Sequence, residues 1–264
     1  MKKYLVIGNP IKHSLSPKIH NFWIKQNNIN AIYEKKEINQ KNIKELILEI
    51  REEKIHGMNV TVPFKKSVIT YLDELTEYAQ KTQSVNTIYK KKNKIIGANT
   101  DIEGFEKSLK NTNYDIQNKK ILILGAGGVV SSIVMGLKNL GANEITLSNR
   151  TKKNAENIKK IYPDLKIIEW GRISNFDIII NATSLGLKKE DKINLNLENI
   201  SKNKLFYDVI YNPKMTNFLE NGKKLGNKIE NGKMMFVYQA QLSFNIWHNI
   251  LPNVDNEIIE LLNT

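Results

Sequence analysis

An α/β protein built on a doubly wound parallel sheet is what this sequence predicts, and two observations carry the prediction. Near the middle of the chain, Lys119-Lys120 lead into the unbroken apolar run Ile121-Leu122-Ile123-Leu124, which stops at Gly125-Ala126-Gly127-Gly128. A run without polar alternation fits a parallel strand buried on both faces. Beyond the glycines, Ile133, Val134, Leu137 and Leu140 recur at helical spacing, and Gly141 stands where that helix should end. The second observation is that strand and helix candidates alternate after this stretch, the pattern of a parallel sheet crossed by helices.

A glycine turn between strand and helix lets backbone N–H groups approach a pyrophosphate at the positive end of the helix. The stretch therefore reads as a dinucleotide site, with an ordinary strand–helix turn as the alternative. Val130 occupies the third glycine position of the fingerprint, a departure expected to loosen helix–strand packing.

With 264 residues, 41% of them apolar, the chain has material for one large domain or two modest ones, and disorder is not the expectation. Cysteine is absent, which excludes a disulfide framework and any thiolate nucleophile or metal ligand. No apolar stretch is long enough to span a bilayer. Met1-Lys2-Lys3 followed by Tyr4-Leu5-Val6-Ile7-Gly8 resembles a signal n-region, but its apolar run is too short, so it reads as a first strand and the protein as cytoplasmic. The net charge of +13 raises nucleic-acid binding, yet the lysines are scattered and form no arginine-rich stripe. The excess of Lys, Asn and Ile reads as compositional drift, with a positive field that draws in small anions.

Taken in order, residues 4–8 form a strand, and Ser16-Pro17 reads as an N-cap with Pro at the first helical position, Ile19, Phe22 and Trp23 giving the helix its apolar face. Residues 31–38 form a strand, and Leu46 and Ile50 mark a helix ending near Lys54. Residues 57–62 form the next strand, and Pro63 starts another helix. Val85 to Tyr89 and Ile95 to Ala98 pair around Lys90-Lys91-Lys92-Asn93. Thr100 and Glu103 form a capping box that opens a helix to about Lys110, linking the two halves. After the glycine turn come Glu144 to Ser148, Ala155 to Ile161, Phe176 to Ile180 and Leu205 to Val209. Near the end, Phe236, Ala240, Phe244 and Trp247 share one helical face and Met235, Leu242 and Ile246 another, so that helix is expected to be buried.

Several of these junctions carry chemistry-bearing side chains. Ser14 and Ser16, beside a helix N-terminus, could hold a carboxylate, or Ser16 could simply cap. Lys65, read in the first turn of the helix after Pro63, is mildly unfavourable there unless a carboxylate or an anionic ligand is near; a solvated surface lysine is the alternative. Asn86-Thr87 and Asn99-Thr100-Asp101 end strands, where small molecules bind in open α/β sheets; for Asp101 helix capping competes with catalysis. The strand Ile145 to Ser148 ends in Asn149-Arg150-Thr151 without the acid that usually holds a ribose, which favours a 2′-phosphate and hence NADP.

Together these stretches resemble the shikimate dehydrogenase family over nearly the whole chain. The resemblance rests on Pro10 with His13-Ser14-Leu15-Ser16-Pro17, Asn59 to Lys65, Val85-Asn86-Thr87, Asn99-Thr100-Asp101 with Gly104, and Gly125 to Gly128. It continues through Asn149-Arg150-Thr151, Asn181 to Gly186, Tyr211 with Pro213, Gly232, Met235 and Gln239-Ala240. It implies an N-terminal α/β substrate domain, residues 1–101 joined by the C-terminal helices from about 236 to 264, and a Rossmann-like NADP domain, residues 102–235, with the active site in the cleft between them. It implies Lys65 and Asp101 as the catalytic pair, and substrate contacts from Ser14, Ser16, Thr61, Asn86, Asp101, Tyr211 and Gln239. It implies cofactor contacts from Gly125, Ala126, Gly127, Gly128, Asn149, Arg150, Thr151, Val209 and Gly232. Glu77 matches a further cofactor position, but the ordinary reading, a surface helical glutamate, is preferred.

The implied reaction is the reversible reduction of the C3 ketone of 3-dehydroshikimate by NADPH, with no metal, no nucleic acid and no membrane, in a monomer or homodimer. A quinate or dual quinate/shikimate dehydrogenase using NAD(P) is the neighbouring alternative, and a non-catalytic dinucleotide-binding regulator is the alternative of another kind. The chain departs from the family pattern at Asn154, where a second basic residue is common, at Gln83-Ser84, at Val129-Val130 and at Met234.

Overall fold

Tyr4 to Ile7 are all buried, as a strand covered on both faces requires, and they form the centre of β1 (Lys2–Gly8). The computed structural model describes residues 1–263 except 174, 189, 192, 194, 198 and 199. The chain divides into two units, Met1–Gly104 with Val237–Thr264, and Phe105–Phe236.

In the first unit β1 is followed by α1 (Ser16–Gln26), β2 (Ala31–Glu37), α2 (Ile43–Arg51) and β3 (Gly57–Val60). Then come β4 (Glu74–Leu75), α3 (Glu77–Thr82), β5 (Thr87–Lys91), β6 (Lys94–Ala98) and α4 (Asp101–Asn111). The sheet order is β2-β1-β3-β5-β6-β4. β1 runs parallel to both neighbours, whereas β5 lies antiparallel to β3 and β6, closing the expected hairpin at Lys92-Asn93.

Two local readings are corrected here. Helix α1 begins at Ser16 with Leu15 at the N-cap, so Ser16 is not the cap; instead the Ser14 Oγ accepts the Ser16 N–H at 3.3 Å. No α-helix starts at Pro63. Phe64 N–H bonds the Thr61 carbonyl at 2.9 Å in a tight turn, and the Lys65 carbonyl accepts from Val85 N–H at 2.8 Å, while the Ile69 N–H goes to Lys66 instead of Lys65. Only a short 3₁₀ helix follows, Ser67–Tyr71, so Lys65 sits in a turn ahead of it and the helix-dipole argument for this lysine falls away.

In the second unit β7 (Lys120–Leu124), α5 (Val130–Asn139), β8 (Glu144–Ser148), α6 (Lys152–Ile161), β9 (Lys166–Ile168), β10 (Ile178–Asn181), β11 (Leu205–Asp208), α7 (Asn217–Lys224) and β12 (Lys228–Glu230) follow one another. Every pairing is parallel and the order is β12-β11-β10-β7-β8-β9. The apolar runs divide by alternation. Ile121, Ile123, Ile178, Ile180, Leu205 and Tyr207 face one core with Phe105, Ile133 and Val134. Leu122, Leu124, Ile179 and Phe206 face the other with Phe218 and Leu219. Val130 is fully buried in the first of these cores beside Ile133, so the valine at the third fingerprint position fills space rather than loosening the packing.

The long helix α8 (Lys233–His248) buries Val237, Ala240 and Phe244 completely, and α9 (Asn256–Leu261) ends the described chain. Two glycines of the first unit permit close approach. A Cβ on Gly104 would lie 2.8 Å from the Gln239 nitrogen, and one on Gly57 would lie 2.4 Å from the Trp247 Nε1. No helix among the described residues is long and apolar enough to cross a membrane.

Because the Trp247 indole is also held by a 3.2 Å hydrogen bond to the Ile88 carbonyl, Gly57→Ala should overpack this site and cost about 1–3 kcal/mol. The measurement is the urea midpoint; an unchanged midpoint would show that the indole yields freely.

Candidate active site

In the first unit the carboxyl ends of β3 and β6 and the hairpin strand β5 bring together groups remote in sequence. Lys65 Nζ donates to Asp101 Oδ2 at 2.5 Å, with both residues buried, 8% and 5% exposed. The other carboxylate oxygen, Oδ1, accepts from Asn86 Nδ2 at 2.9 Å. Asp101 opens α4, and its own N–H bonds the Asn99 Oδ1 at 3.0 Å. The Asn86 amide is oriented in turn: its Oδ1 accepts the Thr100 N–H at 2.8 Å, and its Nδ2 also lies 2.9 Å from Thr100 Oγ1 and 3.3 Å from Gln239 Oε1. An amide nitrogen has two protons, so these three acceptors share them. Thus Lys65, Asp101, Asn86 and Gln239 form one cluster.

Ser14 and Thr61 are half-buried and Ser16 is buried. Ser14 and Ser16 are joined by the bond from the Ser16 backbone at the start of α1, and the Thr61 N–H bonds the Ile7 carbonyl at 2.9 Å. Around the cluster lies a polar layer in which Asn59 and Thr87 belong to the motifs, whereas Tyr33 and Ser243 do not. Asn59 Nδ2 donates to the Asn86 carbonyl at 2.9 Å and reaches Thr87 Oγ1 at 3.1 Å and Ser243 Oγ at 3.0 Å. Tyr33 Oη donates to Asn59 Oδ1 at 2.6 Å. Its signal in the sequence is Asn59, a polar residue inside an otherwise apolar strand. Glu77 opens α3 and pairs with Lys81 at 2.5 Å on an exposed helix face.

In the second unit the strand order, counted from β7 as the first strand, is the doubly wound 3-2-1-4-5-6 arrangement, with its reversal between β7 and β10. The glycine turn sits at that crevice. Gly125 has φ +110°, and a Cβ on it would fall 2.8 Å from the Ala182 carbonyl oxygen, so both backbone and space require glycine. Gly127 differs: a Cβ there would meet nothing within 4 Å, leaving room beside the exposed backbone. No side chain caps α5. These features fit a pyrophosphate on the helix N-terminus.

At the end of β8 the Asn149 Nδ2 bonds the Thr151 carbonyl at 2.8 Å, and Arg150 and Thr151 are exposed, as are Lys152, Lys153 and Asn154. The first acid beyond is Glu156. Val209 and Gly232 are brought together: the Gly232 position leaves only 2.1 Å between a would-be Cβ and the Val209 carbonyl oxygen. Tyr211 stacks on Phe236 with ring centroids 4.6 Å apart.

A model of the shikimate dehydrogenase substrate binding domain matches residues 6–88, and a shikimate/quinate 5-dehydrogenase model matches residues 106–214. The chain belongs to the shikimate dehydrogenase family. A shikimate dehydrogenase (NADP(+)) of Pelagibacter ubique (strain HTCC1062) is 62% identical over 261 residues, spanning 99% of this chain and 98% of that one. The crystal structure of shikimate dehydrogenase from Aquifex aeolicus superposes with a TM-score of 0.89 at 34% identity, covering 100% of this chain and 98% of that one. The Thermus thermophilus enzyme in complex with NADP(H) and shikimate gives 0.90 at 28% identity, covering 100% and 99%.

One buried acid in this shikimate dehydrogenase family member was not singled out by its sequence. Asp208 ends β11, is fully buried, and accepts hydrogen bonds from Asn181 Nδ2 (3.0 Å), Ile210 N–H (3.0 Å) and Thr216 Oγ1 (2.6 Å). It thereby ties together the loops that leave β10 and β11. Burial outweighs those bonds and pushes its carboxyl from 3.8 up to about 6. A raised folded value means that the stabilising contribution is complete below about 3.8 and is lost as pH rises through about 6, a change of about 3 kcal/mol. Wild type should therefore lose up to ~3 kcal/mol of unfolding free energy relative to Asp208→Asn between about pH 4 and about pH 7. Denaturant titrations across that range check this; a constant difference would contradict it.

Proposed function

We propose that this protein catalyses the reversible NADPH-dependent reduction of 3-dehydroshikimate to shikimate, with Lys65 and Asp101 as the catalytic pair. Family membership and the relatives' activity support the reaction. The observation that carries the residue assignment is the buried Lys65–Asp101 pair at 2.5 Å. Burying two charges costs several kcal/mol each before their attraction is counted, so such a pair is a poor device for stability alone. It suits a site where a proton must be held beside a developing alkoxide.

In this reading Ser14 and Ser16 hold the acid's carboxylate by hydroxyl hydrogen bonds at the start of α1. Thr61, Asn86, Gln239 and Tyr211 orient the ring hydroxyls. Lys65 Nζ donates its proton to the carbonyl oxygen as that oxygen gains charge. Asp101 keeps the ammonium aimed through Oδ2, while Asn86 fixes Oδ1. NADPH, when bound, supplies the hydride, and Gly125, Ala126, Gly127, Gly128, Asn149, Arg150, Thr151, Val209 and Gly232 are the residues that would hold it. Arg150, exposed and followed by Lys152 and Lys153, is the group suited to the 2′-phosphate.

The test is spectrophotometric, following NADPH with shikimate or quinate and with NADP or NAD. Lys65→Ala should lower kcat roughly 10²–10⁴-fold with a far smaller change in shikimate KM. Lys65→Arg should not restore the rate, because guanidinium gives up its proton poorly. Near-normal kcat in folded Lys65→Ala would remove the lysine from the mechanism. Arg150→Ala should weaken NADP much more than NAD; equal losses would show that it does not read the 2′-phosphate.

A further inference from the structure

Asp208, the last residue of β11, is fully buried, and its hydrogen bonds come from uncharged donors, the Asn181 amide, the Ile210 N–H and the Thr216 hydroxyl. The ion pairs of the second unit among the described residues, Lys138–Asp164, Lys152–Glu156, Lys166–Glu144 and Lys204–Asp177, leave it out. Glu230 on the neighbouring strand β12 is only half-buried, and Lys228 offsets its charge.

The donors around Asp208 suit a carboxylate rather than a neutral acid. Oδ1 receives the Ile210 N–H, which can only donate, and Asn181 Nδ2. The Asn181 amide is oriented by the Thr183 N–H on its own Oδ1 and by the Leu185 carbonyl on its Nδ2, so it too faces Asp208 as a donor. Oδ2 faces Thr216 Oγ1, which already accepts the Leu219 N–H as the cap of α7. Burial pushes the carboxyl to about 6, so it is ionised at about pH 8. The second unit thus keeps a negative charge in its interior without a cation to offset it, at a cost in stability.

Its place gives that charge a use. In a doubly wound sheet a dinucleotide crosses the crevice where the strand order reverses, with the adenosine ribose at the end of the second strand. That end is here β8, followed by Arg150, so the nicotinamide half extends to the other side of the glycine turn, towards the ends of β10 and β11. Val209, which adjoins Asp208, and Gly232, which packs on the Val209 carbonyl, are the cofactor residues proposed on that side. The nicotinamide ring is cationic in NADP+ and neutral in NADPH, because a hydride departs with both electrons of its bond.

We propose that the Asp208 carboxylate is an electrostatic element of the cofactor site that favours the oxidised, cationic nicotinamide over the reduced, neutral one. The proposal rests on the NADP-dependent shikimate dehydrogenase reading above. A charge buried in protein acts through a low effective dielectric and is little screened by salt. It stabilises bound NADP+ relative to bound NADPH, and so draws the hydride toward the ketone, the direction that forms shikimate.

Asp208→Asn removes the charge, keeps the shape and leaves an amide oxygen for Asn181 and Ile210. The test is isothermal titration calorimetry at about pH 8, without shikimate, using NADP+, NADPH and adenosine 2′,5′-bisphosphate, which lacks the nicotinamide. The ratio of the NADP+ Kd to the NADPH Kd should rise about three- to tenfold in the variant, the scale of one charge acting at an effective dielectric of about 20. The bisphosphate Kd should stay within about twofold. An unchanged ratio would mark Asp208 as a purely structural link between loops and overturn the proposal, and so would a loss of bisphosphate affinity as large as that of NADP+. Should Asp208→Asn not fold, wild type decides: it should bind NADP+ several-fold more tightly than NADPH, and equal or tighter binding of NADPH overturns the proposal. Wild-type turnover is measured first. Failure to reduce NADP+ with shikimate overturns the functional reading itself, whereas normal turnover with an unchanged Kd ratio in Asp208→Asn overturns the electrostatic role alone.

Discussion

A buried lysine–aspartate pair is tolerable only if both partners are fully aimed, and much of the first unit meets that demand. Asp101 has one oxygen on Lys65 and the other on Asn86, and Asn86 is gripped by the Thr100 N–H. Each grip comes from a strand end or a helix start, so it is as rigid as the sheet. The Lys65 carbonyl is pinned to Val85, which places the lysine in its turn before its side chain is considered. Without this support the desolvation cost of the pair would be met by rotation into water, and the geometry of the pair would be lost.

The second unit works on a different constraint. Its sheet is parallel throughout, so every central strand must satisfy two apolar layers, and β7, β10 and β11 do so by strict alternation between the two cores. Parallel order also gathers all carboxyl ends at one edge. There the glycine turn, the Asn149-Arg150-Thr151 segment and the Val209–Gly232 approach lie at the ends of β7, β8 and β11. The Asp208 network is internal to that edge and adds side-chain bonds between the loops that leave β10 and β11.

Legibility in the sequence follows these physics. Strands β1, β7 and β10 are legible because double burial leaves their runs apolar. β9 and β12 are not, being three-residue edge strands that begin with lysine, and β4 has only two residues. The turn at Pro63 is misread as a helix because the partner of the Lys65 carbonyl, Val85, lies about twenty residues away. Lys65 and Asp101 are suggested by resemblance, since spacing alone favours a surface lysine for the first and leaves a helix cap as an equal reading for the second. Tyr33 is not legible as a polar residue because an aromatic in a strand reads as core, and its phenol bond to Asn59 is what distinguishes it.

The two glycines of the turn answer to different selective pressures. Gly125 is held by its own backbone angle and by the Ala182 carbonyl, so any lineage that keeps the fold keeps that glycine. Gly127 faces empty space, and the folded chain alone would accept a methyl group there. On the proposed assignment of Gly127 to the cofactor, a descendant that abandoned dinucleotide chemistry would be free to drift at Gly127 while retaining Gly125, and the residue found at that single position would record whether a paralogue still needs its cofactor.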